Sequence, residues 1–167
     1  MPKTNSFSPS DCITARVVTK YQTDPAHFLA QCARQLQPDG TVSLVDRIVP
    51  GSRLRGKKAN LLQDAGRYIN TFLRLTDAND GCCLGQHQWQ DLLWQAGFEI
   101  VYERVTAVRY TFHDWLPPHL SPQDQIRLRT LLIQAPVPAL EYLTPKIGGD
   151  KITFYLQELL IIGRLRD

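Results

Sequence analysis

Apolar residues fall along the chain in short β-like runs separated by helical stripes. Asp11–Thr19 (DCITARVVT) is short and β-branched and is followed by polar residues, which predicts a buried strand. Asp24-Pro25 predicts a helix start, with the aspartate as N-cap and the proline in the first helical position. Phe28, Leu29, Cys32, Ala33 and Leu36 then form one face at helical spacing, and Pro38-Asp39-Gly40 stops the helix and turns the chain. Val42–Val49 is almost continuously apolar, as in a parallel-sheet strand covered on both faces. Strand, helix and strand in succession make a βαβ unit, whose crossover is expected to be right-handed.

Pro50–Asn60 is a basic, glycine-containing loop. Leu61, Leu62, Ala65, Tyr68, Ile69, Phe72 and Leu73 predict an amphipathic helix, and Asp77–Gly85 a loop. A helix over Gln86–Ala96 carries Trp89, Leu92, Leu93 and Ala96 on one side, with Gly97 at the left-handed C-cap position. Phe98 opens a strand running to about Tyr110. Pro117-Pro118 breaks the chain, and Ser121-Pro122 restarts it as a helix whose turns are marked by Ile126, Arg129 and Ile133. Ala135–Pro145 has room for one short helix, Gly148-Gly149 is a turn, and Lys151–Arg166 closes the chain as a strand. The order is that of an α/β protein.

Composition narrows the class. The 167 residues carry 19 basic and 16 acidic side chains, a net charge of +3, 43% hydrophobic and 21% charged residues. This is ordinary usage for a single domain and excludes disorder, collagen and a disulfide-built miniprotein. No run approaches the ~18 apolar residues of a membrane span. Met1–Ser10 is polar and is expected to be a flexible tail, not a secretory signal, leaving 11–167 as one domain with a helical insertion over 111–150. Cys12, Cys32, Cys82 and Cys83 show no CxxC or metal spacing, and the four histidines form no i,i+4 pair. Reduced cysteines, no metal and a cytoplasmic location follow as expectations. The charge is too small to point to nucleic acid. Arg53, Arg55, Lys57 and Lys58 form a local basic cluster, read either as a solvated helix start or as a phosphate or nucleic-acid patch.

Several stretches resemble one family. Asp24-Pro25-Ala26-His27-Phe28-Leu29 through Leu36-Gln37-Pro38-Asp39-Gly40, followed by Val42-Ser43-Leu44-Val45-Asp46, resembles the helix, turn and strand of class I S-adenosylmethionine-dependent methyltransferases. Trp89–Phe98 is similar to the family's "EWxxLLxxAGF" helix. Phe112-His113-Asp114-Trp115 resembles the "FxxW" piece of its small-molecule, quinone-biosynthesis-type (type 11) branch. Ile152–Ile162 resembles the closing strand. Order and spacing match from Asp11 to Arg164, but only to the carboxy-terminal half of the family. The implied fold is a truncated Rossmann-like sheet with strands corresponding to 4, 5, 7 and 6 and helices on both faces. None of the ten glycines forms the glycine-rich cofactor loop.

The resemblance places Ala15, Arg16, Val17, Val18, Thr19 and Tyr21 along the adenine or methionine side of S-adenosylmethionine. Arg16 then either pairs with a carboxylate or closes the strand at the surface. Asp46 either contacts a substrate donor group or caps the following loop. Tyr68 and Phe72 either wall the small-molecule substrate or fill the core. Where the family often has a DPxH histidine, this chain has Asp77-Ala78-Asn79-Asp80; His113 is a substitute or a surface residue. Open α/β sheets bind ligands where strand order reverses, and this chain supplies one bank of that crevice. The expected function is therefore a methyltransferase-like half, inactive alone, that pairs along its first strand with a complementary amino-terminal half or with a second copy in a homodimer. A non-catalytic small-molecule-binding or assembly module is the alternative.

Overall fold

A computed structural model describes residues 9–78 and 80–166. Its strands are β1 (Ser10–Arg16), β2 (Leu36–Ile48), β3 (Phe98–Thr111), β4 (Lys146–Gly148) and β5 (Lys151–Leu165). Its helices are α1 (Val18–Tyr21), α2 (Pro25–Gln35), α3 (Lys57–Arg74), α4 (Gln86–Gln95), α5 (Phe112–Trp115), α6 (Pro122–Ile133) and α7 (Val137–Leu143). One five-stranded sheet runs β1-β2-β5-β3, with β4 paired to β5. β1 and β2 are parallel, and β5 is antiparallel to both β2 and β3.

Local signals start the helices where the sequence places them. Asp24 accepts a hydrogen bond from the His27 backbone N–H at 2.9 Å, and Pro25 opens α2. The Ser121 hydroxyl accepts from the Asp124 N–H at 3.1 Å and opens α6. Gly97 ends α4 with φ 93°, a conformation only glycine adopts without strain. Gly148 and Gly149 turn β4 into β5.

Four expectations change. The first strand is an edge strand: Asp11, Cys12, Thr14 and Arg16 are exposed, and Val18 and Thr19 belong to α1. Pro38-Asp39-Gly40 does not precede β2 but lies within it as an irregularity, with Asp39 at φ 61° and the pairing to β1 shifting between Ser10 and Cys12. β2 is covered on one face only: Val42, Leu44, Asp46 and Ile48 are buried, whereas Thr41, Ser43, Val45 and Arg47 are half-buried. On α6 the core positions are Leu128 and Leu132, and Ile126 is 66% exposed. The expected stripe was out of phase on a helix whose apolar and polar residues are interleaved around its circumference. Of the tail expected over 1–10, residues 1–8 lie outside the described residues; Ser10 opens β1.

β5 organises the core. Ile48 opposes Gln157, so Lys151–Leu156 runs on past the end of β2, paired with β3 and β4. In this half Ile152, Phe154 and Leu156 are buried; in the other half Leu159 and Ile161 are. The ladder to β3 has no shift from Tyr102 to Thr111, so the change from even to odd residues is a change of face. The even residues pack with Phe72 of α3, Leu128 of α6 and Leu143 of α7. The odd residues pack with Leu29 of α2, Trp89 of α4 and Leu44 of β2. Helices thus cover both faces, each over a different half of the sheet.

Phe154 is fully buried and meets the rings of Phe72, Tyr110 and Trp115 at 6.1, 5.8 and 5.1 Å. Phe154→Ala is expected to lower unfolding free energy by about 3–5 kcal/mol, read from the urea midpoint at unchanged slope.

Candidate functional site

The parallel pair β1 and β2 ends at one edge of the sheet, and the chain there is tightly tied. Val17 leaves β1 at φ 54°, a left-handed conformation that is costly for a β-branched residue, while its N–H donates to Val45 O at 2.8 Å. This turn points Thr19 inward. The Thr19 N–H donates to Asp46 Oδ2 at 2.8 Å, the Thr19 hydroxyl to Asp46 Oδ1 at 3.1 Å, and the Arg47 N–H to Oδ1 at 2.8 Å. Asp46 is 3% exposed. Burial pushes its carboxyl pKa up, and the three donors oppose that push without cancelling it.

The loop over 77–85 is strapped to the same edge. Arg47 Nη1 pairs with Asp80 Oδ2 at 3.0 Å, and Lys20 Nζ with Asp77 Oδ2 at 2.8 Å, a hydrogen bond that raises the lysine's pKa. Asn70 of α3 exchanges two hydrogen bonds with the Cys83 backbone, at 2.9 and 3.0 Å. Gly81 has φ 78°, and a Cβ there would lie 2.1 Å from Asn70 O, so the loop closes onto α3 only with glycine. Burial pushes the Cys83 thiol up to about 12, which keeps it unreactive.

Two clefts flank this tie. The first, about 600 Å³, lies over the end of β1 and is lined by Thr19, Tyr21, Pro25, Ala78, Cys82 and Leu84. The second, about 460 Å³, lies over the end of β2 and includes Val49, Gly51, Leu62, His87 and Gln157. Leu84 bridges Ile48 in parallel and so extends β2's pairing past the end of β1, standing between the clefts.

Sequence-chosen residues distribute unevenly about this edge. Tyr21 is 72% exposed on the first cleft, with Val17 beside it; Ala15 and Arg16 belong to β1 below. Asp46 is turned inward and holds α1 to β2. Tyr68 donates to Leu131 O at 2.9 Å, and Phe72, 1% exposed, stacks on Trp115 at 5.1 Å. Both therefore tie α3 into the core. Thr111, which ends β3 two residues before His113, opposes Thr153, and Ile48 opposes Gln157, so β3 runs about 13 Å along the sheet past the end of β2 before His113 is reached. His113 lines a separate cleft with Asp114, Arg129 and Lys151. Arg47, Asn70 and His87 were missed; Arg47 carried one signal, a charge closing an apolar strand. No group of His, Cys, Asp or Glu among the described residues is arranged to hold a metal ion.

No family model matches the chain, and no curated protein matches it. Solved structures do. A protein of Bacillus halodurans assigned to the methyltransferases superposes with TM-score 0.82 at 18% identity, over 100% of this chain and 68% of that one. The YcgJ protein of Bacillus subtilis superposes with TM-score 0.78 at 20% identity, over 96% of this chain and 65% of its own. The fold is that of a Rossmann-like methyltransferase. This chain spans about two thirds of the length of each structure. The tie lies at the carboxyl ends of the parallel strands β1 and β2.

Folding raises the Asp46 pKa, so the native state binds this proton more tightly than the unfolded chain. Its contribution is full below the unfolded value and is lost as pH rises through the folded one. The stability difference between the protein and Asp46→Asn, measured by urea unfolding, is therefore expected to shift against the native protein as pH rises from about 4 to 7. Asp46→Ala, which strands two backbone N–H groups, is expected to cost about 2–3 kcal/mol.

Proposed function

We propose that this chain forms the acceptor-side portion of an S-adenosylmethionine-dependent methyltransferase, and that the grip on the methyl donor comes from a segment pairing along the free edge of β1. The observation that carries this is that no acid lines the first cleft among the described residues, and that the aspartates beside it are engaged in the structure. Asp46 is held by Thr19 and Arg47, Asp77 by Lys20 and Asp80 by Arg47, while Asp24 caps α2. No carboxylate lines that cleft for ribose hydroxyls among the described residues, and no GxGxG occurs among the 167 residues. The residues present therefore fit one side of the donor, through Tyr21 and the cleft floor, and do not enclose it.

S-adenosylmethionine supplies an activated methyl group on a sulfonium. What the protein adds is chiefly alignment of acceptor and donor in a dry site. The tie between β1, β2 and the 77–85 loop gives this chain a rigid wall for that purpose. A complement would cover the face carrying Arg16, Val45, Leu160 and Tyr102, which is only partly buried beside β1. A homodimer that pairs two β1 edges is the second reading, favoured by the exposed residues of that strand. Free thiols on all four cysteines, two of them exposed, suit a reducing cytoplasm. No helix among the described residues is long and apolar enough to cross a membrane.

Calorimetric titration of the chain alone with S-adenosylmethionine is expected to show no binding tighter than about 1 mM. A micromolar constant would refute the proposal. Sedimentation equilibrium separates the two readings: a concentration-dependent dimer supports self-pairing, a monomer a different complement.

A further inference from the structure

The second cleft contains an arrangement that neither the fold nor the proposed donor site explains. A Cβ on Gly51 would lie 2.6 Å from His87 Cε1, and one on Gly85 would lie 2.8 Å from the same atom. Gly85 has φ −76°, so the backbone does not demand glycine there, but a Cβ would displace the imidazole from its present place. Two glycines from separate segments thus form a seat for one histidine ring. A solvated surface histidine imposes no such constraint.

The seated ring has chemistry to offer. Burial lowers the His87 pKa, opposed in part by Asp91 and reinforced by Arg53, so the ring is neutral at pH 7 and presents one donor and one acceptor. Neither its ring nitrogens nor the Gln157 side-chain amide has a hydrogen-bond partner among the described residues. The other polar groups nearby are occupied. Tyr142 donates to Ile48 O, and Gln86 and Gln90 donate to Glu103. Arg53 is paired with Asp91 at 2.7 Å, and no cation lines the cleft among the described residues. Val49, Pro50 and Leu62 complete an apolar wall.

We propose that this cleft binds an uncharged, planar molecule through an amide-like edge, with His87 and Gln157 supplying the paired donor and acceptor and the apolar wall taking the ring. Resting on the reading above, this molecule is the methyl acceptor, since adjacent parallel strands lie only about 4.8 Å apart and the two clefts open over neighbouring strand ends. The seat sets acceptor specificity by excluding anions, which would meet Glu103 behind the glutamines and find no counter-ion.

The test needs no methyl donor, so its failure leaves the methyltransferase reading standing, and a failed methylation assay leaves this one. Benzamide is titrated into the full chain while the His87 ring and the Gln157 amide are followed by NMR. Saturable shifts of both in the millimolar range are expected, with benzoate at least tenfold weaker. Gly51→Ala displaces the ring, and His87→Ala removes it; each is expected to weaken benzamide at least tenfold while the backbone amide spectrum stays folded. Absence of saturation by benzamide overturns the proposal. So does benzoate binding as tightly, or His87→Ala binding unchanged in a folded protein.

Discussion

β5 is the constraint on which the rest depends. It lies between β2 and β3, and its two halves bury opposite faces, Phe154 and Leu156 toward α3, α6 and α7, Leu159 and Ile161 toward α2 and α4. A strand that serves two cores cannot twist or slip without disturbing both, since a one-residue slip would expose each set. Among the described residues, the same division leaves half of each face only partly covered. On the side of β1 and β2, Val45, Leu160 and Ile162 are only half-buried. That uncovered half and the unpaired edge of β1 are contiguous, so one partner element could complete both.

The charged groups at the carboxyl ends of β1 and β2 follow from this geometry. Arg47 closes β2 where the sheet meets the 77–85 loop, and Asp80 neutralises it in a partly buried setting. Asp46 anchors α1 through Thr19, and Lys20 and Asp77 add a more exposed strap. These interactions fix the shape of the edge. By contrast, His87 and Gln157 in the neighbouring cleft retain unused donors and acceptors. The edge is thus divided into a structural tie over β1 and a chemically open seat over β2.

Much of the fold was legible because its signals are local. Asp24-Pro25, Ser121-Pro122, Gly97 and Gly148-Gly149 mark element ends by backbone chemistry alone. The apolar run Leu159–Ile162 marked a central strand. Coverage was not legible: Val42–Val49 has the composition of a strand buried on both faces, yet the side carrying Val45 is only half-buried. The phase of α6 was lost because Ile126, Leu128, Leu131, Leu132 and Ile133 leave little polar contrast. At the site, Asp46 was found from its position, but its inward bonds to Thr19 are long-range. His87 was invisible because its seat joins Gly51 to Gly85 across separate segments, and neither glycine has a positive φ to betray it.

Among the described residues β1 is paired along one edge only, and the proposed complement would take the other. Amide hydrogen exchange across β1 and β5, at low micromolar concentration with the oligomeric state measured in parallel, tests it most directly. In a monomer, the amides of Ile13–Arg16 that do not bond to β2 should exchange orders of magnitude faster than those of Leu159–Ile161. Protection of β1 equal to that of β5 in a proven monomer would contradict the account.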